Sequence, residues 1–410
     1  MGTLFIRAAR VVSAGSAGAR RGADLATLRV LPRADVRIDD GIITEVSESP
    51  LSGADGINAA GCVLMPAFVD CHTHAMWAGS RVDEWKMKLR GTSYLDILKS
   101  GGGIMSTVRA VRSATPSDLI NGLHTRLTEF VSGGTTTVEA KSGYGLSADA
   151  ELKMLQGIAT IQASFASRGI TIRPTALIAH ALDPEVATDD FIRRTLEETL
   201  PAVHAAFPGI PIDAYCEAGA WPLDSTVALF ERARALGHPL RVHADQFHSL
   251  GMVREAVRLG AVSVDHLEAS TDSDLDILAA SRTFGVILPV CGMHLDGRFA
   301  RARRLVDAGG LLALATNCNP GSAPSSSMPL AMALAVRHCG LAPEEAINAC
   351  TVNAAAVLGL GDRGYVAPGA RADLILLRHK DERNLAFELG GNPVKCVIAH
   401  GNVVEGSAQA

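Results

Sequence analysis

The chain has 410 residues, 48% of them hydrophobic but only 4% aromatic, and a formal net charge of −5. That length allows one large barrel plus an accessory domain, with a sizeable core built mainly from Ala, Leu and Val. The negative charge and scattered Arg and Lys argue against a nucleic-acid or anionic-membrane partner. No run approaches the ~18–20 apolar residues of a membrane span. The N-terminus lacks the apolar segment and cleavage site of a signal peptide. Eight cysteines show neither a disulfide framework nor a C-x-x-C pair. They read as buried free thiols in a reducing cytoplasm.

Residues 3–12, 34–38 and 42–47 read as short strands, with Asp39-Asp40-Gly41 as a turn. The Ala/Gly/Arg-rich insert from Gly15 to Leu31 is expected to be a surface loop. From residue 64 aliphatic strands alternate with helices. The strands are 64–70, 134–140, 171–179, 212–217, 240–244, 262–266, 285–289 and 311–316. Amphipathic stretches at 115–132, 148–168, 224–236, 250–259 and 272–282 lie between them. Eight such units predict an α/β fold, a (β/α)₈ TIM-type barrel. A doubly wound sheet would instead carry a Gly-rich phosphate turn after its first strand. After a helix at 343–358, strand-like runs at 372–378, 395–400 and 402–404 are expected to join the N-terminal strands in a small β-sandwich. The predicted division is 1–63 and 363–410 for that sandwich and 64–362 for the barrel.

The first barrel strand ends in Asp70-Cys71-His72-Thr73-His74. Side chains two apart on a strand share a face, so His72 and His74 can grip one metal ion. Bare His-x-His is a weak motif. Its distant companions strengthen it: His243 in Val242-His243-Ala244-Asp245, His266 in Asp265-His266-Leu267-Glu268, and the segment Ala315–Gly321. Barrel active sites sit at the C-terminal ends of strands. His74, Tyr144, His180, His243, His266 and Asn317 all fall at or just past a predicted strand end. Cys71 and Cys318 flank this set and read as packing.

The layout resembles the amidohydrolase superfamily, and within it the imidazolonepropionases. The resemblance runs over nearly the whole chain. It rests on Asp70–His74, Ala78-Gly79-Ser80-Arg81, Gly101-Gly102-Gly103-Ile104, Lys141-Ser142-Gly143-Tyr144-Gly145-Leu146, Ala179-His180-Ala181, His243-Ala244-Asp245-Gln246, Asp265–Glu268, Asn319-Pro320-Gly321-Ser322 and Pro368–Leu374. It implies one divalent metal held by His72, His74 and His243, zinc first, with iron or manganese as alternatives. It places substrate contacts on Arg81, Tyr144, His180, Gln246, Asn319, Gly321 and Ser322. Arg81 suits a propionate carboxylate. His266 is placed to polarise a carbonyl or shuttle a proton, and Gln246 joins it among the catalytic candidates. The expected partners are a carboxylate-bearing small molecule and a second copy in a homodimer.

Two departures stand out. The family's fourth metal ligand is an aspartate that also carries a proton to the leaving nitrogen; here it is Asn317, a neutral amide that offers at most a weak oxygen. The family's aromatic-containing pocket wall is replaced by Val290-Cys291-Gly292-Met293-His294-Leu295-Asp296-Gly297-Arg298, which is expected to bring His294, Asp296 and Arg298 to the barrel mouth. Without a proton carrier at 317, the favoured expectation is a 2-thioxo ring. Sulfide would leave 3-(5-oxo-2-thioxoimidazolidin-4-yl)propanoate unaided and yield hydantoin propionate, with His266 or His294 accepting the water's proton. The alternatives are opening of 4-imidazolone-5-propanoate to N-formimidoyl-glutamate in histidine degradation, and a non-catalytic binding relative.

Overall fold

The computed structural model describes residues 2–53, 56–92 and 102–406. Strands β1 (Thr3–Ser13), β2 (Arg29–Asp39) and β3 (Ile42–Ser47) pair antiparallel in sequence. Asp40 and Gly41 join β2 to β3 with φ of 49° and 84°, the left-handed pair that a tight hairpin needs. β4 (Ile57–Asn58) and β5 (Val63–Pro66) then pair with β1 in parallel.

The expected strand 64–70 is two strands in two sheets. β5 stays with the terminal sheet, and β6 (Phe68–Asp70) opens the barrel. Pro66 has no amide to donate. The Ala67 amide bonds Asp373 of the terminal domain, and the Phe68 amide bonds Gly134 of the barrel. The chain therefore changes sheets within two residues.

The barrel continues through β7 (Thr135–Lys141), β8 (Thr171–Ala179), β9 (Ile212–Cys216), β10 (Leu240–Ala244), β11 (Ser263–His266), β12 (Phe284–Ile287) and β13 (Leu311–Leu314), all parallel and in chain order. Where β13 returns to β6, the Asn317 amide bonds the His72 carbonyl, and the His74 amide bonds the Cys318 carbonyl. The Asp70 carboxylate accepts from the Thr316 hydroxyl at 2.5 Å. The expected helix 343–358 is broken into Pro343–Ala349 and Val352–Val357. The break turns the Cys350 carbonyl toward the Val69 amide.

The segment Gly15–Leu31 is not a plain surface loop. A 3₁₀ turn at Gly22–Ala26 buries Leu25 completely. Asn348 donates to the carbonyls of Leu25 and Thr27, and Arg21 donates to those of Ala279 and Gly309. Those partners precede β12 and β13, so the insert caps the end of the barrel away from the histidines.

The last strands, β14 (Leu374–Leu377), β15 (Val394–Ala399) and β16 (Asn402–Gly406), return to the terminal sheet through β14 and β5. The expected sandwich from both termini is one connected eight-stranded sheet. It has its own core, with Ile6, Val36, Ile38, Leu64, Leu374 and Ile398 fully buried. Among the described residues, no helix is long and apolar enough to cross a membrane. All eight cysteines are free and buried.

Candidate active site

Strand periodicity brings charge into the barrel. Glu139 and Lys141 face inward from β7, Asp213 from β9, Arg241 and His243 from β10, and Asp265 from β11, all nearly inaccessible. Buried charges need partners, and these have them. Lys141 bonds Asp213 at 2.7 Å and Glu139 at 3.0 Å. Arg241 bonds Glu139, Asp265 and the Cys71 carbonyl.

Above this layer His72, His74 and His243 place three ring nitrogens within 4.8 Å of one another. Asp265 pairs with Nδ1 of His72, and Asp213 with Nδ1 of His243. A carboxylate at Nδ1 keeps the proton there and leaves Nε2 as a lone pair. Burial, reinforced by neighbouring cations, holds His72 and His74 well below the usual imidazole range. Burial also lowers His243, against the pull of Asp213. Nε2 of His74 lies 3.1 Å from Nε2 of His243, and the buried Nε2 of His72 has no hydrogen-bond partner. Neutral nitrogens converging without a shared proton fit a divalent cation.

Asn317 stands beside them at φ +66°. Its amide nitrogen is directed to Ser322 Oγ at 3.5 Å, and its buried Oδ1 has no partner. Position 317 thus offers a neutral oxygen and no carboxylate.

The Lys141–Leu146 segment is shaped by Glu151, whose carboxylate accepts from the amides of Gly143, Gly145 and Leu146. That turn buries Tyr144 and aims the Gly143 carbonyl at Nδ1 of His180, 2.9 Å away. Burial pushes the Tyr144 hydroxyl above its ordinary range. Burial, then His243, pushes His180 down to about 3. His180 stacks on His74 with centroids 5.0 Å apart and lies 5.1 Å from Tyr144. Both expected contacts therefore adjoin the three clustered histidines.

Arg81 lies at the mouth, bonded to Glu84 at 2.7 Å. With Trp77, Trp85, Lys88, His294 and Gly321 it lines a cavity of about 410 Å³. A Cβ on Gly321 would come within 2.9 Å of the Arg81 guanidinium, so a side chain there would push the guanidinium aside. Asn319 uses its Oδ1 to accept the amides of Gly321 and Ser322, and its Nδ2 donates to Ser322 Oγ. In this conformation it shapes the turn. His294 reaches the cavity as expected. Asp296 and Arg298 instead pair with each other, both 42% exposed. Of the Gly101–Ile104 motif, Gly101 lies outside the described residues.

His266 ends β11 at φ +91°, followed by Leu267 at +74°. Such conformations are costly for these residues and cluster at functional sites. Its ring centroid is 5.6 Å from that of His243 and 6.1 Å from that of His72. Nδ1 lies 3.2 Å from Glu268. Burial opposes charge on His266, but Glu268 and Cys291 outweigh it and bring the ring to about 10. The carboxylate beside the ring favours its protonated form. Gln246 accepts from the Tyr215 hydroxyl at 2.8 Å and donates to Cys291 Sγ at 3.3 Å.

Asp213, Asp265, Lys141, Glu268, Tyr215 and Cys291 were not singled out as site residues from sequence. Period-two placement beside the histidine strands marks Asp213 and Tyr215. Asp265 and Glu268 flank His266 within its own motif.

The amidohydrolase family model matches residues 63–404. The chain belongs to the amidohydrolase family. An imidazolonepropionase of Deinococcus radiodurans is 41% identical over 388 residues, covering 94% of this chain and 95% of that one. One of Chloroflexus aggregans is 42% identical, covering 96% of each. One of Herpetosiphon aurantiacus is 43% identical, covering 94% and 93%. This amidohydrolase is therefore a hydrolytic enzyme of imidazolonepropionase-like kind. Its barrel is also that of the 5-methylcytosine deaminase of Klebsiella pneumoniae liganded with phosphonocytosine, at a TM-score of 0.75, 19% identity and 98% coverage of both chains.

Proposed function

We propose that this amidohydrolase hydrolyses a five-membered imidazolone-type ring carrying a propionate. Full-length similarity to imidazolonepropionases at 41–43% identity carries this reading. It favours opening of 4-imidazolone-5-propanoate to N-formimidoyl-glutamate over the thioxo substrate expected from sequence. Zinc suits His72, His74 and His243, and when bound it acidifies water and polarises a carbonyl. Arg81 exchanges Glu84 for the substrate carboxylate. Tyr144 and His180 orient the ring, and His266 supplies a proton at a ring nitrogen.

One observation favours a second reading. Asn317 cannot accept and return a proton as a carboxylate would. A 2-thioxo ring suits such a site, because sulfide leaves without an acid. Purified protein is incubated with each propionate, and N-formimidoyl-glutamate and sulfide are assayed. Formimidoyl-glutamate without sulfide supports the first reading. Sulfide with hydantoin propionate supports the second. Turnover of neither ring overturns both.

A further inference from the structure

The buried charges under the histidines do not balance. Glu139, Asp213 and Asp265 are three carboxylates, and Lys141 and Arg241 are the two cations that meet them. None of the five side chains is more than 2% exposed. Neighbouring ionic groups do not make up the difference. Asp70 accepts from the Thr316 hydroxyl and amide and from the His72 amide, so it brings no cation. Arg363 reaches Thr137 on β7 but is paired with Asp362 and Asp373. His266 has its own carboxylate in Glu268.

Glu139 is the surplus member. Asp213 pairs Lys141 with Nδ1 of His243, and Asp265 pairs Arg241 with Nδ1 of His72. Each cation thus has a carboxylate of its own. Glu139 meets both cations instead: its Oε1 accepts from Lys141 at 3.0 Å, from Thr175 at 2.5 Å and from Arg241. It therefore joins the two arms that end on His243 and His72. A surplus buried carboxylate destabilises a dry interior unless something compensates it. A divalent cation on the three histidines would do so, and the side chains offered to that cation are neutral, three imidazoles and the Asn317 amide.

We propose that Glu139 is a positioning residue for the metal: it supplies the negative charge that position 317 lacks, and it holds Lys141 and Arg241 so that Asp213 and Asp265 fix both imidazoles together. This role rests on the reading of His72, His74 and His243 as a metal site, and it is independent of which ring is hydrolysed.

The experiment compares wild type, Glu139→Gln, Asn317→Asp and the double variant, each loaded with zinc and titrated with a chelator. Glutamine keeps an oxygen for the three donors and removes the charge. Glu139→Gln should weaken zinc binding roughly 10-fold or more. Asn317→Asp should strengthen it by a larger factor in the Glu139→Gln protein than in wild type, because two carboxylates near one cation repel each other. Urea unfolding after removal of zinc should find Glu139→Gln at least as stable as wild type, since a surplus charge has gone. Unchanged zinc affinity in Glu139→Gln overturns the proposal. Equal gains from Asn317→Asp in both backgrounds overturn it too, since a residue that serves packing alone has no charge to exchange. So does lower stability of the zinc-free Glu139→Gln protein. A wild-type protein that holds no zinc overturns the metal reading and this role with it. Where zinc is bound but neither ring is turned over, the substrate reading fails, and the affinities still decide the role of Glu139.

Discussion

Asp213 shares one carboxylate between Lys141, at 2.7 Å, and Nδ1 of His243, at 3.1 Å. The lysine keeps the carboxylate charged in a dry barrel, and the carboxylate keeps His243 in the tautomer that frees Nε2. Asp265 does the same for His72, with Arg241 behind it. Asp213→Asn or Asp265→Asn should weaken metal affinity about 10–100-fold, read by competition with a chelator. His72→Ala and His243→Ala should lose the metal. Unchanged metal content in both would sink the assignment.

Arg81 is held by Glu84, so the substrate carboxylate must displace an internal one. Arg81→Met should cost about 1.5–3 kcal/mol of binding, roughly 10–150-fold in kcat/KM. Glu84→Gln should lower KM by removing the competitor. Gly321→Ala should raise it by crowding the guanidinium. Steady-state kinetics at unchanged metal content check all three.

Asn317→Asp restores a carboxylate that can carry a proton. It should raise ring opening relative to sulfide release when both propionates are assayed side by side. An unchanged ratio removes Asn317 as the determinant of leaving-group preference.

Stability has a separate acid-sensitive element in the terminal sheet. Asp35 is buried, which raises its carboxyl. Bonds from the amides of Ala8 and Leu51 and from Arg7 outweigh burial and hold it below the usual range. A depressed folded value stabilises above the unfolded carboxylate range, ~3.9, and that contribution is lost as pH falls through the folded value. Asp35→Asn should lower stability at neutral pH and flatten its acid dependence. Urea titrations between pH 3 and pH 7 measure this.

Leu25→Ala should cost about 2–5 kcal/mol, read by urea denaturation. A surface loop would show almost no effect.

His72 and His74 were legible because His-x-His just past the first barrel strand is local, and His243 was legible as its companion at another strand end. Their carboxylate partners were not, since Asp213 and Asp265 reach His243 and His72 only after β9, β10, β11 and β6 close around one interior. Composition hid the insert: its Ala, Gly and Arg residues look like loop, while the Leu25 and Arg21 side chains anchor it to the barrel. Pro66 marked the change of sheet, but an unbroken apolar run concealed it.

The pairing of β5 with β14 has a consequence for synthesis. Val63–Pro66 takes its antiparallel partner from Leu374–Leu377, more than three hundred residues later. At ~5–20 residues per second, the nascent strand waits on the order of 15–60 s for that partner. During this time an apolar edge is open to other chains. Production should therefore depend on chaperone capacity more than the finished enzyme's stability suggests. A chain truncated before Leu374 should aggregate even though every histidine of the metal site has been made.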